Sequence, residues 1–143
     1  SFREEFNKEG IAVKLRLDRR IKDSRIDVEG VERTLTNLLV NACEAIAHDD
    51  GEITITTMAR QRDLILAVED NGEGIPPSRL SRIFFPRFST KGDEGTGLGL
   101  AEVKKWVNAL GGSVHVHSVV DEGSRFVLSL PREAQGTVTV SSE

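Results

Sequence analysis

The chain has 143 residues, 38% of them hydrophobic, which suits one ordinary domain around a single core. Its 19 Lys and Arg against 23 Asp and Glu leave a net charge of -4, so no basic field draws nucleic acid or an anionic membrane, and a polyanionic ligand needs a local site. A lone cysteine, Cys43, excludes an intrachain disulfide and a four-cysteine metal site, and no apolar run approaches the ~20 residues of a membrane span.

In chain order, residues 1–10 read as the end of an upstream helix or linker: Phe2 to Lys8 has no start signal, and Gly10 is a natural helix terminator. The N-terminus lacks signal-peptide character, so the chain is expected to be a soluble, cytoplasmic piece of a longer protein, compatible with a parent anchored in the inner membrane. Ile11, Val13, Leu15 and Leu17 alternate with Ala12, Lys14 and Arg16 as in a half-buried strand, and Asp18 to Arg25 is a polar loop. From Asp27, an N-cap residue, Val31, Leu35, Leu38, Leu39, Ala42, Ala45 and Ile46 recur at helical spacing up to His48. Cys43 falls in that stretch and is expected in the core.

After the Asp49-Asp50-Gly51 turn, Ile53–Thr57 and Leu64–Val68 predict neighbouring strands around a hairpin at Arg60 to Asp63, the second strand central because it is nearly all apolar. Pro76-Pro77 opens a short helix to about Phe84, and Pro86 to Gly97 predicts a long loop. Leu98 to Leu110 returns to helical spacing until Gly111-Gly112 stops it. Val114–Val116 and Phe126–Leu130 are two last strands, with His115 and His117 on the outward side, and 132–143 is a small, polar tail beyond a domain of residues 11–131.

Four segments carry chemistry. Asn37 and Asn41 lie one turn apart on one helix face, where amide oxygens suit Mg²⁺. Asp70-Asn-Gly72-Glu-Gly74 ends a buried strand: its carboxylate can accept from an exocyclic amine while bare glycine backbone admits a flat base. Gly95-Thr-Gly97-Leu-Gly99-Leu100 opens a helix whose N–H groups and dipole can meet phosphates, with Arg87 and Lys91 adding charge. Gly123-Ser124-Arg-Phe126 opens the last strand. Taken singly, each is also compatible with a plain role as a polar helix face, a turn or a flexible loop.

Their order resembles the N, G1, G2 and G3 boxes of the sensor histidine kinase catalytic domain, within the superfamily shared with gyrase, HSP90 and MutL, over roughly Ile11 to Pro131. Ile83-Phe-Phe-Pro-Arg-Phe-Ser-Thr-Lys91 is similar to the F box of nitrogen-regulation-type kinases. The resemblance implies an α/β fold, a two-layer sandwich of the Bergerat type with helices over one face of a mostly antiparallel sheet. It implies ATP and Mg²⁺ as ligands. Asp70 would take the adenine amine, with Gly72, Gly74 and Ile75 beside it and Ser124 holding a water near the base. Asn41 would hold the metal, and Asn37 and Lys91 would act at the phosphates. Phe88, Thr90, Gly95, Thr96, Gly97, Leu98, Gly99 and Leu100 would complete the nucleotide site, with Phe84 and Phe88 anchoring a lid. Implied partners are a histidine-bearing dimerisation domain of the same parent, expected to be a homodimer, and a response regulator receiver domain.

Phe85, Arg87, Glu102 and Glu44 depart from the family pattern, and Glu44 stands where other subgroups have a Lys, a contact Lys91 would replace. Self-contained ATPases of the gyrase, HSP90 or MutL kind place a Glu general base where this chain has Asn37; an amide is no base near neutral pH, which favours transfer to an external acceptor over hydrolysis. A nucleotide-dependent docking module without turnover is the third reading.

Overall fold

The strands are β1 (Phe2–Lys8), β2 (Ile11–Leu17), β3 (Gly51–Arg60), β4 (Asp63–Asp70), β5 (Ser113–Val119) and β6 (Gly123–Pro131). The helices are α1 (Val28–Ala45), α2 (Pro77–Leu80) and α3 (Gly99–Ala109). These come from a computed structural model that describes residues 2–8 as backbone, and 10–18, 27–86 and 99–131 in full. The strands form one sheet in the order β1-β2-β3-β4-β6-β5, antiparallel except for the β2–β3 pair, with β4 inside as its apolar run predicts.

Phe2–Lys8 is a strand and not the end of a helix. Gly10, at φ 80°, turns the chain back, so that Lys8 pairs with Ile11 and Phe2 with Leu17. The ladder occupies the outer edge of β2, which would otherwise present unpaired N–H and C=O groups.

Asp27 caps α1 as its residue type predicts, its Oδ1 accepting from the Gly30 N–H at 3.0 Å. Its Oδ2 accepts from the Trp106 indole at 3.3 Å, so one carboxylate ties α1 to α3; the Gly30 N–H first, and then the indole, lower its pKa. Gly30 carries no Cβ because the Trp106 ring occupies that space.

The buried stripe of α1 is Gly30, Thr34, Leu38 and Ala42, steps of four that turn inward over β4 and β6. Cys43 is consequently exposed, contrary to expectation, since the residue after Ala42 is rotated about 100° away from the stripe. The helix also stops at Ala45, short of His48, because Ile46 is extended and packs against Gly51 at the start of β3. Glu102, exposed in the first turn of α3, suits the positive end of that helix.

Beneath the helices, cross-strand rows share one face: Ile55, Val68, Phe126 and Val116, then Leu66, Leu128 and Val114, then Leu64 and Leu130. With Leu38, Val103 and Val107 from the helices they make the core. No helix among the described residues is long and apolar enough to cross a membrane.

Candidate nucleotide site

One row further along the same face, the sheet changes character. Ile53 pairs with Asp70, Asp70 with Ser124, and Ser124 with Ser118, so a polar row closes one end of an otherwise apolar surface. Asp70 is 5% exposed and Ser124 4%. Burial pushes the Asp70 pKa up from the usual carboxylate range, opposed by the backbone N–H groups of Gly72 and Ser124. The Gly72 donor lies 2.8 Å from Oδ1.

The turn after Asp70 is clamped from outside by Asn71. Its Oδ1 accepts from the Glu52 N–H at 2.8 Å and its Nδ2 donates to the Asp50 carbonyl at 2.9 Å. His48 joins the clamp: Nδ1 accepts from the Asp50 N–H at 3.2 Å, so Nε2 carries the proton and donates to the Asn71 carbonyl at 2.9 Å. Both ring nitrogens are thus engaged, while His115 and His117 are exposed on β5, the outward side that their alternation predicts.

The glycines also have a purpose within the fold. A Cβ on Gly72 would strike the Ala45 carbonyl at the end of α1, and one on Gly74, at φ 76°, would strike the Val119 carbonyl in the β5–β6 hairpin. Bare backbone here admits neighbouring chain segments. The Glu73 N–H donates to the Ala45 carbonyl, and the Glu73 carbonyl accepts from Asp121, both at 2.8 Å, locking the turn between α1 and the hairpin.

Above the polar row, a cleft with about 570 Å³ of empty space, part of it open to solvent, lies between α1, the Glu73–Ile75 turn, α2 and the start of α3. Asn41, Glu44 and Ala45 form the α1 wall, Ile75 and Arg79 the opposite side, Leu100 the α3 side, and Ser124 the floor. Glu44 therefore faces the cleft where the family pattern often has a cation. Asn37 stands one turn behind Asn41, its Nδ2 donating to the Gly99 carbonyl at 3.2 Å and so joining the two helices. Phe84 packs edge-on against Phe126, centroids 6.4 Å apart, with the Lys104 ammonium 5.6 Å from its ring centre, which fixes the chain entering the F box. Phe85 is 62% exposed.

The structure thus brings together Asn37, Asn41, Asp70, Gly72, Gly74, Ile75, Gly99, Leu100 and Ser124. Phe88, Thr90, Lys91, Gly95, Thr96, Gly97 and Leu98 lie outside the described residues. Two residues went unnoticed in the sequence, Asn71 and Ser118. Ser118 had a signal: it continues the inward alternation Val114, Val116 with a hydroxyl where a third apolar residue is expected.

A sheet covered on one face by two helices, with a buried acid paired across the strands to the serine on the floor of a cleft, is the architecture of the histidine kinase ATPase domain. Residues 26–134 match the family of histidine kinase-, DNA gyrase B- and HSP90-like ATPases, and the chain belongs to that family. Its relatives include the sensor histidine kinase ZraS of Salmonella typhi, 39% identical over 112 residues, a match covering 78% of this chain and 24% of that protein. The chain therefore spans about a quarter of the length of that relative. Among solved structures, the catalytic domain of histidine kinase ThkA superposes with TM-score 0.72 and 30% identity, covering 86% of this chain and 80% of that one. Full-length ShkA in complex with AMPPNP superposes with TM-score 0.70 and 27% identity over 85% of this chain and 26% of that one.

Proposed function

We propose that the chain binds Mg-ATP in this cleft and donates the γ-phosphoryl group to a histidine on a separate dimerisation domain of a homodimeric two-component sensor kinase, for relay to the receiver domain of a response regulator. The observation that carries this reading is the buried Asp70 carboxylate, held by backbone donors beside the cleft floor, where in its ionised form it can only accept. An adenine exocyclic amine supplies the matching donors. ShkA, a neighbour in fold, has been solved with AMPPNP, which agrees with a triphosphate ligand here.

The helical wall suits the other end of the nucleotide. Asn41, whose amide carries an oxygen donor for a metal, lines the cleft, and no group of three His, Cys, Asp or Glu able to hold a metal exists among the described residues. That donor set fits Mg²⁺, which keeps several waters and takes its remaining ligands from phosphate oxygens. When bound, the ion neutralises charge on the transferring phosphoryl group. The first turn of α3, opening at Gly99, would offer N–H groups and the positive helix end to the phosphates. Lys91, with Arg87, is assigned to the phosphates in place of the cation that Glu44 removes.

Asn37 cannot activate water, and its amide nitrogen is committed to Gly99, so the nucleophile comes from outside the domain. A cytoplasmic position follows from the need for ATP and a receiver domain. The test is to incubate γ-labelled ATP and Mg²⁺ with the full-length protein that carries this chain, wild type and Asp70→Asn. Acid-labile, base-stable label on wild type alone is expected. Free phosphate without labelled protein would replace the proposal with an ATPase, and neither product with a docking module.

A further inference from the structure

We propose that Ser118, on β5, is a positioning residue for the nucleotide base: it fixes the Ser124 hydroxyl as a pure acceptor towards the cleft and so favours a 6-amino over a 6-oxo purine. The inference rests on the nucleotide-binding reading above and deepens it.

The argument is an accounting of protons. A hydroxyl has one proton to donate and two lone pairs. Ser118 Oγ lies 3.1 Å from the Gly123 carbonyl oxygen, which can only accept, so the Ser118 proton goes there. The Ile75 N–H, 2.7 Å away, donates into one Ser118 lone pair. Ser124 Oγ lies 2.8 Å from Ser118 Oγ, and the remaining Ser118 site is a lone pair, so Ser124 is the donor of that bond. Its proton is committed away from the cleft, and its lone pairs are what the cleft floor offers.

Ser124 and Asp70 are cross-strand partners, both buried. An ionised Asp70 also only accepts, so at the floor the base edge meets two side-chain acceptors. A 6-amino group, directly or through one water, satisfies them. A 6-oxo group sets a third acceptor against them and replaces the two amine protons with the single ring N1–H, so one buried acceptor loses its donor, an arrangement that discriminates against it. Ser118 touches neither base nor phosphate; it acts through Ser124 and through Ile75, whose backbone it holds beside the cleft.

The test measures ATP and ITP affinity by calorimetry for the full-length protein and for Ser118→Ala, Ser118→Thr and Ser124→Ala, each checked for an intact unfolding transition. Removing the Ser118 hydroxyl frees the Ser124 proton to turn towards the ligand, so the ATP preference over ITP is expected to fall about tenfold, the size of one hydrogen bond to a charged or buried group. Ser118→Thr, which keeps the hydroxyl, is expected to retain it. Ser124→Ala is expected to lose the same preference, and the double variant no more than either single one. Equal weakening of ATP and ITP in Ser118→Ala, with the ratio intact, would reduce Ser118 to a structural role and overturn the proposal. If Ser118→Ala does not fold, Ser118→Cys, similar in shape with weaker hydrogen bonds, is expected to lower the ratio in the same direction, and an unchanged ratio overturns the proposal equally. A wild type that binds neither nucleotide would overturn the nucleotide-binding reading itself.

Discussion

The two walls of the cleft are built by opposite means. On the strand wall, Asp70 is held by two backbone donors, Ser124 by Ser118, and the intervening turn by Asn71 outside and by the Ala45 carbonyl and the Asp121 N–H inside. On the helical wall, Asn37 and Asn41 are half-buried, Glu44 is exposed, and the Asn37 amide reaches across to Gly99. The strand wall is preorganised, which suits recognition of a rigid base, because its donors and acceptors need no reordering on binding. The helical wall faces the end of the nucleotide where charge moves, and there adjustable amides and a helix terminus suffice.

The contrast breaks most severely at Asp70. Asp70→Asn exchanges an acceptor for a donor in a buried site, and ATP affinity is expected to fall by about 100-fold or more with the fold intact. Unchanged affinity by calorimetry would remove Asp70 from the site. The same variant carries a pH signature. Because burial raises the folded pKa, there is a window above the ordinary carboxylate value in which the unfolded chain has released a proton that the folded chain keeps. The unliganded protein loses stability as pH rises through that window, and Asp70→Asn flattens the slope. ATP affinity moves oppositely, rising with pH as the carboxylate ionises. Denaturant midpoints across the acid range check the first, and a wild-type slope no different from that of the variant refutes it.

Asn71→Ala is a smaller perturbation of the same wall. It removes two hydrogen bonds from a half-buried clamp, and is expected to cost about 1–2 kcal/mol in urea unfolding and several-fold in ATP affinity. Loss of stability with affinity unaltered would show that the Asp70 turn is held well enough from inside.

The mildest test addresses the helical wall. A Cβ on Gly99 meets nothing closer than Asn37 at 3.7 Å, an ordinary contact. Gly99→Ala is therefore expected to leave stability unchanged or raise it by up to about 1 kcal/mol, while weakening triphosphate binding several-fold more than adenosine binding. Equal losses for both ligands would argue against phosphates at the start of α3. Gly97→Ala is expected to behave likewise towards the two ligands.

Much of this was legible in local pattern. Asp27 caps α1 as Asp before a helical stripe does, and β2, β3, β4, β5 and β6 follow the alternation or the apolar run that announces them. Asn41 and Asp70 were singled out from residue type and spacing and Ser124 from the family resemblance; Asn41 and Ser124 line one cleft, and Asp70 is the cross-strand partner of Ser124. Misreadings came where a partner distant in sequence decides. Phe2–Lys8 carries no strand signal of its own and becomes one because β2 offers an edge. Cys43 shares helical spacing with core residues yet turns outward, because the sheet lies under Ala42.

Periodicity, caps and glycine-rich turns are short-range properties, and they were enough for the element types beyond Gly10 and for the acidic end of β4, while the class of fold came from the order of the motifs and the family they resemble. The tertiary structure alone decided that Ile53, Asp70, Ser124 and Ser118 form one cross-strand row, that Gly72 and Gly74 make room for the backbone of α1 and the β5–β6 hairpin, and that Asn71 faces Asp50 and Glu52. Register between strands sets which side chains are neighbours, and register follows from how all the rows of the sheet pack under the helices at once.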